Sequence, residues 1–418
     1  MSNDLLASPD AATWLQDATH RAYLARDAHR QLGFFDASLG ANGGLVTLDF
    51  AGRPLPGPQE LHTTTRLIHS YALAGLAGRP DHAGIIDRGM EDLWTRHRDN
   101  RHGGYVWAVD GADVADGVKL AYGHVFVLLA ASTAKLAGHP EADRLLADAS
   151  DVLERHYWDE SAGLLRDEFT QDWQPFSTYR GMNANMHGVE ALLAAHEATG
   201  ERIYLDRAKR IFDFFLGRIA PASDWRIPEH YTQHWQVDPD YEGNPMFRPA
   251  GSTPGHSFEM GRLQLQLWDL MGRPDDGAPD RARLLIDRAL GDAWDGSRGG
   301  FVYTLSPDGT VARRARYWWP VTEAIGAMAA FIKLSSGPDD EEWYRKLWRF
   351  ADQHLIDAER GGWLPELDAN NQPAMTQFSG KPDIYHALQA DLLPLADGIS
   401  AAARALQSSS PLADQGSN

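Results

Sequence analysis

Gly103-Gly104-Tyr105, Gly299-Gly300-Phe301, Gly361-Gly362-Trp363 and Gly43-Gly44-Leu45 are copies of one turn, a glycine pair followed by a large apolar side chain. Ala162-Gly163-Leu164 is a degenerate copy, and Trp225-Arg226-Ile227 occupies the place of a sixth. After each turn comes a helix-like segment whose first turns carry reactive groups. These are Arg66, Tyr122 with His124, His187, His256 with Glu259, Glu323, and Asp383 with His386. The steps from Arg66 through His124, His187, His256 and Glu323 to His386 are 58, 63, 69, 67 and 63 residues. A period of this size means one supersecondary unit repeated, with its loops on one face. Six units closing on themselves would aim every polar helix start at a single pocket, which is an enzyme's layout.

The periodicity predicts an all-α fold of twelve helices in six pairs. Outer helices are expected near 13–32, 80–98, 140–157, 201–219, 278–294 and 338–357, with charged faces and apolar stripes such as Ile85, Met90, Leu93 and Trp94. Inner helices are expected near 59–78, 118–138, 182–199, 255–272, 319–335 and 382–399, rich in Ala, Leu and Gly as suits packing on two sides. Short breakers such as Gly78-Arg79-Pro80 and Gly138-His139-Pro140 join each inner helix to the next outer one. The opposite connections are long and hold the glycine turns and strand-like runs such as Tyr105-Val106-Trp107, so the site belongs on their face. Residues 1–405 are expected to form one domain, and 406–418 a disordered polar tail.

Composition narrows the function classes. The net charge of −19 opposes binding to nucleic acid or anionic membranes. The absence of cysteine excludes disulfides, thiolate nucleophiles and Cys-ligated metals. No stretch is long and apolar enough to span a membrane, and Met1-Ser2-Asn3-Asp4 opens without the basic and apolar runs of a signal peptide. A cytoplasmic protein, monomeric or homodimeric, is expected.

Pro254-Gly255-His256-Ser257-Phe258-Glu259 places an imidazole at a positive helix end, which biases it toward the neutral form that can act as base or acid. The competing role is a cap, with Glu259 completing the pair. Lys381-Pro382-Asp383-Ile384-Tyr385-His386 repeats the arrangement, with Asp383 as a plausible cap and His386 one turn on, toward the axis. Asn183 and His187 offer an amide and an imidazole for sugar hydroxyls, although Asn before a helix is also an ordinary cap. Arg66 and Arg248 could hold a substrate oxygen that becomes negative, or form ion pairs instead. Tyr122, Trp318 and Trp319 offer faces for a sugar ring, or core packing. Histidines and Glu259 together could ligate zinc or manganese, but no short pair such as His-Glu-x-x-His is present, so no metal and no cofactor is expected.

From about residue 13 to 400 the chain resembles the N-acylglucosamine 2-epimerase superfamily, in particular its aldose–ketose isomerase branch. The resemblance rests on Thr65-Arg66, Tyr122-Gly123-His124, Tyr179-Arg180-Gly181 with Asn183 through His187, Gly255-His256 with Glu259, Trp319-Pro320 with Glu323, and Gly380-Lys381 with Asp383 through His386. It implies an (α/α)6 barrel and metal-free isomerisation of a monosaccharide through a cis-enediol. His256 and His386 would be the catalytic histidines, with Arg66 stabilising the enediolate and Glu259 orienting His256. Tyr122, Asn183, His187, Arg248, Trp319, Glu323 and Asp383 would form the substrate pocket. His62 stands where sulfoquinovose-type relatives carry tryptophan, and Pro382 where they carry a polar group near the sulfonate. With no donor at Pro382, an uncharged hexose is favoured, D-mannose interconverting with D-fructose. Sulfoquinovose isomerase and mannose–glucose 2-epimerase are the alternatives within the superfamily. Outside it, the alternatives are an inverting glycosidase using Glu259 and Glu323, and a non-catalytic binding protein, for which no heptad pattern is present.

Overall fold

The computed structural model describes residues 5–40, 44–241, 243, 248–335 and 337–413; Gly43 of the first glycine turn lies outside them. Among the described residues, outer and inner helices alternate along the chain. Outer α1 (Ala18–Phe35) is followed by inner α2 (Leu61–Leu76), outer α3 (Ile85–Asp92) and inner α4 (Ala121–Leu136). Then come outer α5 (Ala142–Val152), inner α6 (Met182–Thr199), outer α7 (Arg202–Phe214) and inner α8 (Pro254–Leu270). Outer α9 (Ala278–Ala293), inner α10 (Trp318–Ser335), outer α11 (Pro338–His354) and inner α12 (Tyr385–Leu395) complete the set. The inner helices pack side to side from α2 through α12, and α12 returns to α2, so the ring is closed. Each later outer helix lies on the inner helix before it, while α1 lies on α12.

Burial explains the two sequence types. In α4 the run Val125-Phe126-Val127-Leu128-Leu129-Ala130-Ala131 is buried throughout, because ring neighbours and an outer helix cover every side. In α5 Leu145, Leu146, Ala149 and Val152 are buried, while Asp143, Arg144 and Asp151 meet water. A single π-helical turn ends each of α3, α5 and α7, at Leu93–His97, Leu153–Tyr157 and Phe215–Ile219.

The glycine turns then reverse the chain. Arg98 bridges Tyr105, Trp294 bridges Phe301 and Ile356 bridges Trp363, while Trp158 pairs with Leu165 in a two-residue ladder. An aspartate closes three of the turns: Asp99 donates its N–H to Gly104 O at 2.8 Å, Asp295 to Gly300 O at 2.9 Å and Asp357 to Gly362 O at 3.0 Å, while Gly40 takes this place in the first. Gly103 and Gly104 have φ of 75° and 70°, a region that costs glycine little. Asp224 and Trp225, at the place of the sixth copy, also have positive φ, 49° and 61°. In these three units the turn aspartate reaches a cation just before the following inner helix. Lys119 Nζ lies 3.0 Å from Asp99 and Lys381 Nζ 2.9 Å from Asp357, and Arg316 pairs with Asp295 in the same way.

Those cations stand on a ring of two-residue antiparallel ladders linking each unit to the next. Gln59 pairs with Val109, Lys119 with Phe169, Arg180 with Tyr231 and Arg316 with Leu367. Ser252 bridges Leu305, and Lys381 returns to Leu48 to close the circle. The strand expected at Tyr105-Val106-Trp107 begins later, at Ala108–Asp110, because Tyr105 is spent on the turn bridge.

Two expectations need correction. The last inner helix spans Tyr385–Leu395 rather than 382–399: Asp383 Oδ1 accepts the Tyr385 N–H at 3.0 Å, and after Pro394 the chain turns extended at Ala396. His386 therefore lies in the first turn. The start of the expected tail is ordered. Helix α13 (Ala402–Ser409) buries Leu406 against the closed end of the barrel, and Leu412 donates its N–H to Ala77 O at 2.8 Å. Residues 414–418 lie outside the described residues. No described helix is long and apolar enough to cross a membrane.

The seam between α1 and α12 holds two buried acids. Gln31 Nε2 donates to Asp27 Oδ2 at 3.0 Å and to Asp391 Oδ2 at 2.6 Å. Burial, and then the Asp27 charge, push the Asp391 carboxyl well above the usual range, which favours its protonated form. A folded-state pKa raised this way contributes stability fully below the unfolded carboxylate pKa and loses it as pH rises. Asp391→Asn, which needs no proton, is expected to gain about 1–3 kcal/mol over wild type at alkaline pH and nothing at acidic pH. Urea unfolding across that range checks this; an equal slope in both proteins contradicts it.

Candidate active site

The ladders set which residues face the barrel axis. Three and seven residues after Gln59, Lys119, Arg180 and Arg316 come His62 and Arg66, Tyr122 and Phe126, Asn183 and His187, and Trp319 and Glu323. The i, i+4 spacing stacks each pair on one helix face. At the ladder face His62, Arg66, Tyr122, Asn183, His187 and Trp319 line a cavity together with His256, Glu259, Tyr303, Trp318, Phe378, Pro382, Asp383 and His386, while Phe126 and Glu323 lie behind this wall. His124 is out of this register. It is fully buried beside the second glycine turn, where Nε2 accepts the Tyr105 N–H at 3.0 Å and Nδ1 lies 2.7 Å from Leu120 O.

Two imidazoles in the cavity wall are each backed by a glutamate. His386 Nδ1 lies 2.8 Å from Glu323 Oε1, and Glu323 Oε2 accepts Arg262 at 2.9 Å. His256 Nδ1 lies 2.9 Å from Glu229 Oε1, which also takes the Thr253 N–H at 3.1 Å. Contact with a carboxylate assigns the proton to Nδ1 and leaves Nε2 available in both rings. The Trp319 indole stands between them, 5.0 Å from His256 and 5.8 Å from His386. Gly255 makes room for it, since a Cβ there would lie 2.3 Å from the indole.

Arg66 is committed within the site. It donates to Asp383 Oδ2 and to the Tyr122 hydroxyl, each at 2.7 Å, and its guanidinium lies 4.6 Å from the Phe126 ring centre. Burial opposes ionisation of Asp383, but Arg66 overcomes it and holds the carboxyl below its usual range. Asn183 Oδ1 is buried without a hydrogen-bond partner, an acceptor suited to a hydroxyl.

Glu259 stands elsewhere than beside His256. Its Oε1 lies 3.3 Å from His187 Nδ1, and His256 takes Glu229 instead. Glu323 stands behind His386 and Arg248 outside the wall, 2.6 Å from Glu168 Oε2 and stacked 4.0 Å over Tyr179. The remaining expected residues, Arg66, Tyr122, Asn183, His187, His256, Glu259, Trp319, Asp383 and His386, come together in the wall.

Donor atoms of His187, Glu190 and Glu259 lie within 4.8 Å of one another, as do those of Glu259, Glu323 and His386. Either trio could hold a divalent ion by count alone. Arg262 already supplies a buried positive charge to Glu323, Glu190 and Glu259, which works against a second cation there.

Glu229, Glu190 and Arg262 are site residues that the repeat pattern does not reveal. Arg262 and Glu190 carried a readable signal, a charge three residues after Glu259 and His187 on otherwise apolar inner helices. Glu229 lies in an irregular loop and carried none.

With this geometry in hand, the chain can be set beside known proteins. The sequence profile of the family described as N-acylglucosamine 2-epimerase (GlcNAc 2-epimerase) matches residues 43–390. The chain belongs to the N-acylglucosamine 2-epimerase family. It is 41% identical to a protein of Thermobifida fusca named D-mannose isomerase, over 91% of this chain and 96% of that one. A second family relative, from Pseudomonas cannabina pv. alisalensis and also named D-mannose isomerase, is 39% identical over 92% and 94%. A solved structure titled as that of D-mannose isomerase superposes with a TM-score of 0.84 at 34% identity, covering 90% of this chain and 97% of that one. The (α/α)6 barrel is thus the fold of this family member.

Burial pushes the His187 imidazole down to about 4, and burial with the nearby Arg66 charge pushes His62 down to about 3. Both are expected to give neutral ¹⁵N imidazole signals at about pH 6, below the ordinary histidine value. Protonated signals from either at that pH contradict the cavity's electrostatics.

Proposed function

We propose that this protein is an aldose–ketose isomerase that interconverts D-mannose and D-fructose through a cis-enediol. The observation that carries the proposal is the pair of glutamate-backed imidazoles in one cavity wall, His256 with Glu229 and His386 with Glu323. Isomerisation needs a base at C2 that can return the proton to C1, and a second group that opens the ring and moves protons between O1 and O2. Two imidazoles with Nδ1 fixed and Nε2 available supply both. Arg66, Tyr122 and Asn183 line the same cavity as hydroxyl-binding groups, and the Trp319 indole offers an apolar face to the ring.

The choice of an uncharged hexose rests on charge. Arg66 is the guanidinium among the lining residues, and Asp383 already neutralises it. Pro382 offers no donor. A phosphate or sulfonate would therefore enter a wall carrying acids and no spare cation. The relatives named D-mannose isomerase support mannose in particular. A glycosidase pairing of Glu259 with Glu323 is disfavoured, because their oxygens lie within 4.8 Å and Glu323 is bound to Arg262 and His386. Inverting chemistry needs roughly 6.5–9.5 Å between carboxyls. The proposal includes a monomer or homodimer in the cytoplasm, for which a cysteine-free sequence needing no oxidising compartment is the supporting observation.

Purified, EDTA-treated protein is expected to convert D-mannose to D-fructose and to leave mannose 6-phosphate unchanged. His256→Asn and His386→Asn should each lower turnover by about 10²–10⁴-fold with the fold intact. Glu229→Ala should lower it about 10-fold or more. Glucose as the product, near-normal turnover in either histidine variant, or activity that a divalent cation restores after EDTA would each contradict the proposal.

A further inference from the structure

The cavity wall contains a carboxyl group that has no hydrogen-bond donor. Glu259 is fully buried, and neither of its oxygens has a hydrogen-bond partner among the described residues. Its surroundings explain why this matters. From α6, His187 Nδ1 is 3.3 Å away, and a Glu190 oxygen lies within 4.8 Å. From α10 and α12, a Glu323 oxygen and a ring nitrogen of His386 lie at the same range. On its own helix, one turn on, is Arg262, and on α2 is Arg66, whose charge Asp383 takes up.

Three carboxyl groups thus share the single guanidinium of Arg262. Glu323 is solvated as an anion by Arg262 and His386. Glu190 is solvated likewise by the Tyr385 hydroxyl and by Gln389 Nε2 at 3.2 Å. Glu259 receives no donor. A buried carboxylate with no donor is the most costly of the three places for a second negative charge. Burial, then the Glu323 and Glu190 charges, push the Glu259 carboxyl well above its usual range.

We infer that Glu259 is held as a neutral carboxylic acid in the working enzyme, and that its O–H donates a hydrogen bond to the substrate oxygen that turns anionic when the C2–H bond breaks. This rests on the reading of the cavity as the reaction site. It assigns Glu259 a role different from that of an anion orienting His256. A preorganised neutral donor stabilises developing charge without first being desolvated. Arg66 already gives N–H groups to Asp383 and Tyr122, and a neutral Glu259 adds an O–H that no neighbouring acceptor has claimed.

Two measurements test it, the first independent of any substrate. In protein labelled with ¹³C at the glutamate side-chain carboxyl, one resonance should hold the shift of a protonated acid at neutral pH and vanish in Glu259→Gln. A spectrum in which every glutamate is ionised at neutral pH, or a protonated signal that survives in Glu259→Gln, overturns the inference even if the substrate is not mannose. The second compares turnover. Glu259→Gln, a neutral donor of the same shape, should stay within about tenfold of wild type, while Glu259→Ala should lose about 10²–10³-fold. Equal losses in the two variants would mean that the ionised carboxylate is the working form.

Discussion

Arg262 sits where glutamates from three inner helices meet, and the chemistry of the barrel axis depends on how far its single charge reaches. It is almost wholly buried on α8 and bonded to Glu323 of α10, with Glu190 of α6 and Glu259 within its field. Its removal would leave carboxylates unpaired in the interior, a loss typically of about 3–5 kcal/mol. Its presence fixes Glu323, and Glu323 fixes His386. What Arg262 cannot do is balance three anions at once. That shortfall makes Glu259 unlike its neighbours.

The periphery delivers these groups to the axis. In three units an aspartate closes the glycine turn and holds a cation at the ladder preceding an inner helix. The ladders tie unit to unit around the ring, ending where Lys381 meets Leu48. A helix start fixed in this way has no freedom to rotate, so side chains at a set distance along the sequence arrive at the cavity together. Preorganisation of the two imidazoles follows from that rigid rim and from the Trp319 plane between them.

The repeat was legible because helix pairs and glycine turns follow from backbone physics that recurs in every unit. The twelve helices, the site face and nine of the eleven named site residues come together as the period implies. Errors arose where one unit departs from the others. His124 attracts attention as a polar residue near a helix start, yet the residue that occupies the axis position there is apolar Phe126, and His124 serves the turn instead. Glu259 lies three residues from His256, a spacing that suggests partnership, but Glu229 from an irregular loop reaches that ring first. Loop-borne partners leave no periodic trace. Pro394 shortens the last inner helix, and Leu406 and Leu412 anchor a segment whose serines read as a tail.

The central claim is that two fixed imidazoles carry a proton, not a hydride, between neighbouring carbons of the sugar. The most direct test follows the label from D-mannose deuterated at C2 during conversion in ordinary water. Proton transfer through an imidazole predicts slower turnover than with unlabelled mannose and fructose in which C1 retains only part of the deuterium, the rest lost to solvent. Complete retention of the label at C1 in every turnover, together with undiminished turnover in His256→Asn and His386→Asn, would indicate a direct hydride shift and contradict the account.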